Sequence, residues 1–373
     1  MNMSTGQKTV IKIFLVWLLL LLIVGFLSPA FSLYGGKKCN VKNQLPYYRW
    51  DSFWYTSISR HGYTFSEDKN SAIAYFPLYP LTIKFFHLIS RVREDYLSFI
   101  LNIIFSFFAS LYLYRLSRFD HAEKTSLMIV AIWLFFPSSY FLLSGYPEAL
   151  FVLLAILSLF FSRKKRWLWA GVSVALLAVT KPYGIFMLPV LFFEYAATRD
   201  WNYKIFFKKF DWLPFFLPIL TLGAFIFFNY WKFGNPLAFL AAQKTWGRSL
   251  ASPVSALLEE ARHYLLDGNI FSGGNFPYLI YLSSFFFSIF AFFLSWKKAR
   301  RSYLIFPVLI LIAAFLTGTL TSWDRYMLLG FPLLIGPAVY LSGKKYLFAG
   351  YFLASVLVLF TLASLFVRCY PVE

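Results

Sequence analysis

Five ionisable residues stand out in a chain that is otherwise mostly apolar: Asp51, Glu148, Lys181, Asp324 and Arg325. Asp51 is flanked by Trp50 and, three residues on, Trp54. A partly desolvated carboxylate in such a setting suits a general base, a role worth about 10²–10⁴-fold in rate. Lys181 and Arg325 can hold a phosphate, the first as a point charge and the second through a planar fork. Glu148 follows Tyr146-Pro147 and can bind ligand hydroxyls, orient a cation, or simply favour the start of a helix. Structural roles compete at every position. Asp51 can pair with Arg49 or cap a helix, Lys181 can snorkel to an interface, and Arg325 can pair with Asp324 or Glu148.

Other candidates lie around these five. Arg49, Arg60 and His61 share with Asp51 the stretch YYRWDSFWYTSISRHGY, residues 47–63, the densest mixture of charge and aromatic rings in the chain. They either serve a substrate or hold this loop in shape. In QKTWGR, Trp246 can cover a sugar ring with an aromatic face and Arg248 can add a cation; a plain surface loop fits equally well. Glu67-Asp68, within SEDKN, reads as a solvated turn. The four histidines are scattered and the two cysteines form no CxxC, so no metal site is expected, although a divalent ion beside Asp51 and Glu148 is left open.

Composition says what positions these groups. Of 373 residues, 60% are hydrophobic and 14% charged, with a mean hydropathy of +0.64. A soluble chain of this length cannot hide so much apolar surface, whereas lipid can. The net charge of +19 falls in short clusters between apolar runs. That pattern fits the positive-inside rule and anionic headgroups, and no nucleic-acid-binding motif accompanies it. Apolar runs predict about eleven crossings: 13–33, 96–114, 126–143, 146–161, 167–179, 182–195, 212–230, 276–296, 303–320, 326–341 and 346–367. Residues 76–90 carry two prolines, a lysine and a histidine, and predict a re-entrant or interfacial helix.

Basic clusters at 163–166, 297–301 and 344–345 mark the cytoplasmic side, where the N-terminus also falls. The expected architecture is therefore an all-α, multi-pass membrane protein with one domain, 1–373. Its long first outer loop, 34–95, contains short interfacial helices and forms the active side together with loop 231–275. An ionisable group at the centre of a span costs about 2.5–3.5 kcal/mol, so each needs a reason. All five singled out above fall at outer ends of spans, converging on one face from four separate stretches. Cys39 and Cys369 also fall outside, where a disulfide between them and two free thiols are equally open.

RWDSFWYTSISRHGY followed by AYFPLYPL resembles the signature of the PIG-V-like mannosyltransferases, part of the membrane-embedded GT-C glycosyltransferase superfamily. The resemblance continues through FPSSYFLLSGYPEALF (136–151), AVTKPYG (178–184), NYWKFGNPLAFLAAQKTWGR (229–248) and SWDRYMLLGFPL (322–333). It implies a GT-C-like bundle, a polyprenyl- or dolichyl-phosphate donor of mannose, a glycolipid or glycan acceptor, transfer on the extracytoplasmic face with inversion, and Asp51 as base. The family often has Arg where this chain has Lys181, which keeps the charge but loses the fork. No DxD pair is present, which argues against a metal-bound nucleotide sugar. A transporter or flippase of a lipid-linked sugar is the alternative, since many spans with few buried charges suit it too. The absence of any evident internal repeat argues against it.

Overall fold

The computed structural model describes residues 3–28, 45–201, 212–247, 252, 254–255, 257–258, 262, 276–370 and 372. Among them every regular element is helical. Cys39 and Arg248 lie outside the described residues, while Cys369 is disulfide-bonded rather than a free thiol.

Helix α1 (Thr5–Leu27) starts at Ser4, whose hydroxyl accepts from the backbone of Gln7 while the Gln7 side chain accepts from the backbone of Ser4. This reciprocal cap sets the start eight residues before the apolar run expected at 13. Val10, Phe14, Trp17 and Leu21 recur at helical spacing and are buried, whereas Leu15, Leu19 and Phe26 face outward. Such a one-sided helix has protein on one side and suits lipid on the other.

Five helices are long and apolar enough to cross a membrane: α1, α4 (Glu94–Ser117), α9 (Leu213–Phe233), α11 (Phe276–Trp296, apolar over 278–296) and α15 (Lys345–Val367). The remaining expected crossings are shorter pieces. They are α5 (Glu123–Leu134), α6 (Glu148–Arg163), α7 (Trp167–Ala178), α8 (Met187–Ala197), α12 (Arg301–Phe315), α13 (Trp323–Leu329) and α14 (Ile335–Leu341). Of the roughly eleven crossings expected from hydropathy, five thus coincide with long apolar helices and the others with these shorter ones. Runs 126–143, 182–195 and 326–341 are each broken by a 3₁₀ turn, at Ser139–Leu142, Pro182–Phe186 and Phe331–Leu334. Proline removes an N–H and clashes with the preceding turn. Irregular backbone at this depth survives only where protein covers it, and Ser139–Leu142 and Phe331–Leu334 are buried throughout.

Two short helices occupy the first loop, as expected. Helix α2 (Ser52–His61) follows Asp51 directly, and α3 (Leu78–Ser90) buries Tyr79 and Ile83 while exposing Leu81, Phe85, Leu88 and Ile89. Within the second loop lies α10 (Ala238–Thr245).

Helix α4 organises the interior. Ser98, Asn102, Ser106 and Ser110 repeat every fourth residue and are all buried on one face. Ser106 donates to the Leu142 carbonyl at 3.1 Å, and the Asn102 amide donates to the carbonyls of Ser144 and, at 2.8 Å, Tyr146. Asn102 and Ser106 thus supply donors to the broken stretch 138–147, while Ser98 and Ser110 donate to carbonyls of α4 itself. The stretch also sits tightly against α2: a Cβ on Gly145 would lie 2.9 Å from the side chain of Ser52.

Candidate active site

Four of the five residues singled out from sequence meet in space. Glu148 opens α6 and is 0% exposed. Its Oε1 accepts from Lys181 Nζ at 2.5 Å and also from Arg325 Nε. The second terminal nitrogen of Arg325, Nη2, lies 3.9 Å from Asp51 Oδ2. A chain of alternating charge therefore runs Lys181, Glu148, Arg325, Asp51. Two buried cations on one buried carboxylate satisfy the requirement that interior charge be paired. Lys181 and Arg325 are each nearly enclosed, while the Asp51 side chain keeps 23% exposure. The carboxylate at the open end of the chain is the one reachable by an incoming hydroxyl.

Local sequence explains each placement. Lys181 is extended between α7 and the 3₁₀ turn begun by Pro182. Proline disfavours the helical region for the residue before it, so Lys181 leaves the helix and turns inward. A Cβ at Gly184 would lie 2.0 Å from the carbonyl oxygen of Leu177, so only glycine lets this turn fold back on α7. Arg325 is held on α13, whose neighbour Asp324 receives at its carbonyl the hydroxyl of Ser138 at 2.9 Å. The guanidinium lies 4.8 Å from the ring centres of both Phe141 and Tyr146, which adds cation–π attraction in a dry setting. Asp324 makes no ion pair with this group, and its Oδ1 is buried with no hydrogen-bond partner among the described residues.

Asp51 is fixed from two sides by tyrosines. Its backbone N–H donates to the Tyr146 hydroxyl at 3.1 Å, and its Oδ1 accepts from the Tyr75 hydroxyl at 2.7 Å. Tyr75 stacks on Trp54 with ring centres 5.7 Å apart and planes 14° from parallel. Trp246 meets both rings edge-on, at 5.6 Å and 5.9 Å. Trp54 and Trp246, expected separately from two loops, thus form one aromatic corner. Gln243 on α10 secures it by donating to the Ala74 carbonyl at 3.1 Å. Among the described residues Trp246 Nε1 is buried without a hydrogen-bond partner.

The other candidates lie elsewhere. Arg49 is buried and directs its guanidinium at backbone carbonyls: Nε to Val367 at 2.9 Å, Nη1 to Leu45 at 3.0 Å and to Tyr48 at 2.7 Å. Burial lowers its guanidinium to about 10. It ties the loop to the end of α15. Arg60 pairs with Glu94 at 2.9 Å, and the hydrogen bond from that pairing raises its guanidinium above the ordinary value. His61 is exposed at the last position of α2, about 15 Å from Asp51 by helical rise. Trp50 has a left-handed φ of 45° and is 40% exposed, marking the sharp turn that presents Asp51. Among the described residues no cluster of three or more His, Cys, Asp or Glu could hold a metal ion.

Tyr75 and Tyr146 escaped the sequence reading because nothing in residue type separates them from the other tyrosines, 25 in all. Their placement inside the AYFPLYPL and SGYPEALF blocks was the available signal.

Comparison with known proteins adds identity to this geometry. The mouse (Mus musculus) GPI alpha-1,6-mannosyltransferase 2 is 28% identical over 153 residues, covering 38% of this chain and 30% of that protein. The matched part thus spans less than a third of that relative. An Archaeoglobus fulgidus oligosaccharyltransferase in complex with zinc and sulfate aligns over 95% of this chain and 53% of its own, with a TM-score of 0.49 and 12% identity. The oligosaccharyltransferase AglB of the same organism, in complex with an inhibitory peptide and a dolichol-phosphate, aligns over 99% and 56%, with a TM-score of 0.48 and 12% identity. These two likenesses carry no argument about the site. Residues 39–235, more than half of the chain, match the family described as Mannosyltransferase (PIG-V). By that match, the chain belongs to the PIG-V mannosyltransferase family.

Proposed function

We propose that the chain is an integral membrane mannosyltransferase that moves mannose from a polyprenyl- or dolichyl-phosphate donor to an acceptor hydroxyl, with Asp51 as general base. One observation carries this reading: a partly exposed carboxylate lies 3.9 Å from a buried guanidinium that shares a carboxylate with a second buried cation. As the acceptor oxygen bonds to the anomeric carbon, the bond from that carbon to the phosphate oxygen breaks and the lipid phosphate leaves as an anion. Departure builds positive character on the sugar and further charge on the phosphate. Asp51 takes the proton of the attacking hydroxyl. Arg325 and Lys181 stabilise the departing phosphate, and Glu148 holds those two cations close while the site is empty. Membership of a mannosyltransferase family supports the sugar. The mouse relative, a GPI alpha-1,6-mannosyltransferase, supports a glycolipid acceptor.

The single domain sits in the bilayer as about eleven crossings, some of them broken, in a GT-C-like bundle. The N-terminus is cytoplasmic and the site extracytoplasmic. Support comes from the basic clusters at 163–166, 297–301 and 344–345, which fall at the opposite ends of helices from the Asp51 site.

The decisive experiment incubates purified protein or its own membranes with radiolabelled dolichyl-phosphate mannose. Expected is transfer of label out of the donor, reduced at least about 10²-fold in Asp51→Asn. Near-normal transfer by a folded Asp51→Asn protein sinks the base assignment. Movement of intact donor across liposomes without transfer sinks the enzyme reading in favour of a flippase.

A further inference from the structure

We propose that Tyr75 is a positioning residue for Asp51 and that α10, through Trp246, sets Tyr75. The inference rests on the reading of Asp51 as base. It goes further by linking a second loop, remote in sequence, to the reacting carboxylate.

Three observations carry it. First, Asp51 is oriented by opposed contacts on its two oxygens: Oδ1 accepts from the Tyr75 phenol at 2.7 Å, while Oδ2 faces Arg325 Nη2 at 3.9 Å. An ionised carboxylate offers about four lone-pair sites, so these contacts fix its plane and still leave room for a substrate hydroxyl. Second, the phenol is itself fixed. Tyr75 is buried, stacked on Trp54, and met edge-on by Tyr55 at 5.0 Å and by Trp246 at 5.9 Å. Third, the corner is closed from the far loop. Gln243 donates to the carbonyl of Ala74, the residue before Tyr75, and Trp246 follows α10 immediately. Rings so placed cannot rotate independently, and a displacement of Trp246 is passed to the phenol and then to Oδ1.

The chemistry gives this order a purpose. A base accelerates only when its lone pair points at the hydroxyl it deprotonates, and small misplacements are expensive in rate. An α10 seated against the first loop completes the base; an α10 drawn away releases Tyr75 and leaves Asp51 free to swing toward Arg325. Trp246 Nε1, buried without a hydrogen-bond partner among the described residues, sits at this joint.

The test measures label leaving dolichyl-phosphate mannose, in membranes of the source organism that carry the variant in place of the native copy. Tyr75→Phe keeps the ring and its stacking and removes only the O–H. Expected is a fall in kcat of about 10- to 100-fold with the KM for the donor within about twofold, because donor binding is assigned to Arg325 and Lys181. Trp246→Leu opens the corner with the phenol retained, and kcat is expected to fall by about 10-fold. The double variant should fall no further than Tyr75→Phe alone, since both act through one hydrogen bond.

Independent, multiplying losses overturn the proposal, as does a Tyr75→Phe effect confined to KM. Should Tyr75→Phe fail to fold, Trp246→Leu is crossed with Asp51→Asn. Absence of any further loss on the Asn background supports the proposal, and a multiplied loss overturns it. An active Asp51→Asn protein removes the base reading beneath it. An inactive Asp51→Asn protein beside a fully active Tyr75→Phe protein removes this inference alone.

Discussion

Helix α6 has a charged residue at each end, about 22 Å apart by helical rise, and the two ends are built on different principles. At the C-terminal end Arg163 gives both terminal nitrogens to Asp120, at 2.5 Å and 2.9 Å, and a further hydrogen bond to the Tyr303 hydroxyl at 3.1 Å. Nearby, Glu194 accepts from Arg300 and Ser302. Both oxygens of Asp120 have a donor. At the N-terminal end Glu148 takes two cations on a single oxygen, while its Oε2 has no hydrogen-bond partner among the described residues. Among the described residues, Ser52 Oγ, Asn102 Oδ1, Trp246 Nε1 and Asp324 Oδ1 around the same site are also buried and unpartnered. Buried polar groups in folded proteins are nearly always satisfied, so an accumulation at one end marks a place shaped for something other than stability. One end is a clasp and the other is kept incomplete.

Four perturbations probe that difference. The largest effect is expected from Glu148→Gln, which leaves two buried cations without their shared counter-charge. It should lower stability by about 3–5 kcal/mol, measured as earlier thermal aggregation in detergent. An unchanged melting temperature would show that the pairing is not what holds this end. Asp51→Asn should instead spare the melting temperature while reducing transfer by about two orders of magnitude or more, because its carboxylate is partly exposed and its loss leaves little buried charge behind.

Arg325→Lys keeps the charge and loses the planar fork. The KM for dolichyl-phosphate mannose should rise by about tenfold, with a smaller change in acceptor KM. A change confined to the acceptor would contradict the phosphate role. The smallest effect belongs to the clasp: Asp120→Asn breaks a partly exposed pair worth about 0–1 kcal/mol, and transfer should be unaltered. A severe loss of transfer there would erase the contrast between the two ends.

The site was more legible in sequence than the fold. Asp51, Glu148, Lys181 and Arg325 could be picked out because an ionisable group in an apolar chain needs a reason, and the reason turned out to be one another. What sequence could not show was the manner of pairing, two cations on a single carboxylate oxygen. Arg49 shows the converse. Its type and position matched a substrate-binding cation, but an arginine that braces backbone carbonyls is identical in sequence to one that binds a phosphate. The breaks inside the crossings were hidden for a different reason. Hydropathy measures how greasy a run is and is blind to where its hydrogen bonding stops. The prolines at 182 and 332 were visible, yet 139–142 breaks with no proline inside it.

The stripe on α4 carries a consequence for register. Its spacing of four residues approximates one helical turn, so a slip of α4 by one turn, about 5.4 Å, would set one serine where another had been. Three of its four members are interchangeable in this sense. Asn102 is not, because it alone reaches two carbonyls of the broken stretch that delivers Tyr146 and Glu148. It acts as the single tooth that makes a repeating rack fit in one position. Asn102→Ser would make the rack uniform, and the site two helices away would inherit the resulting play.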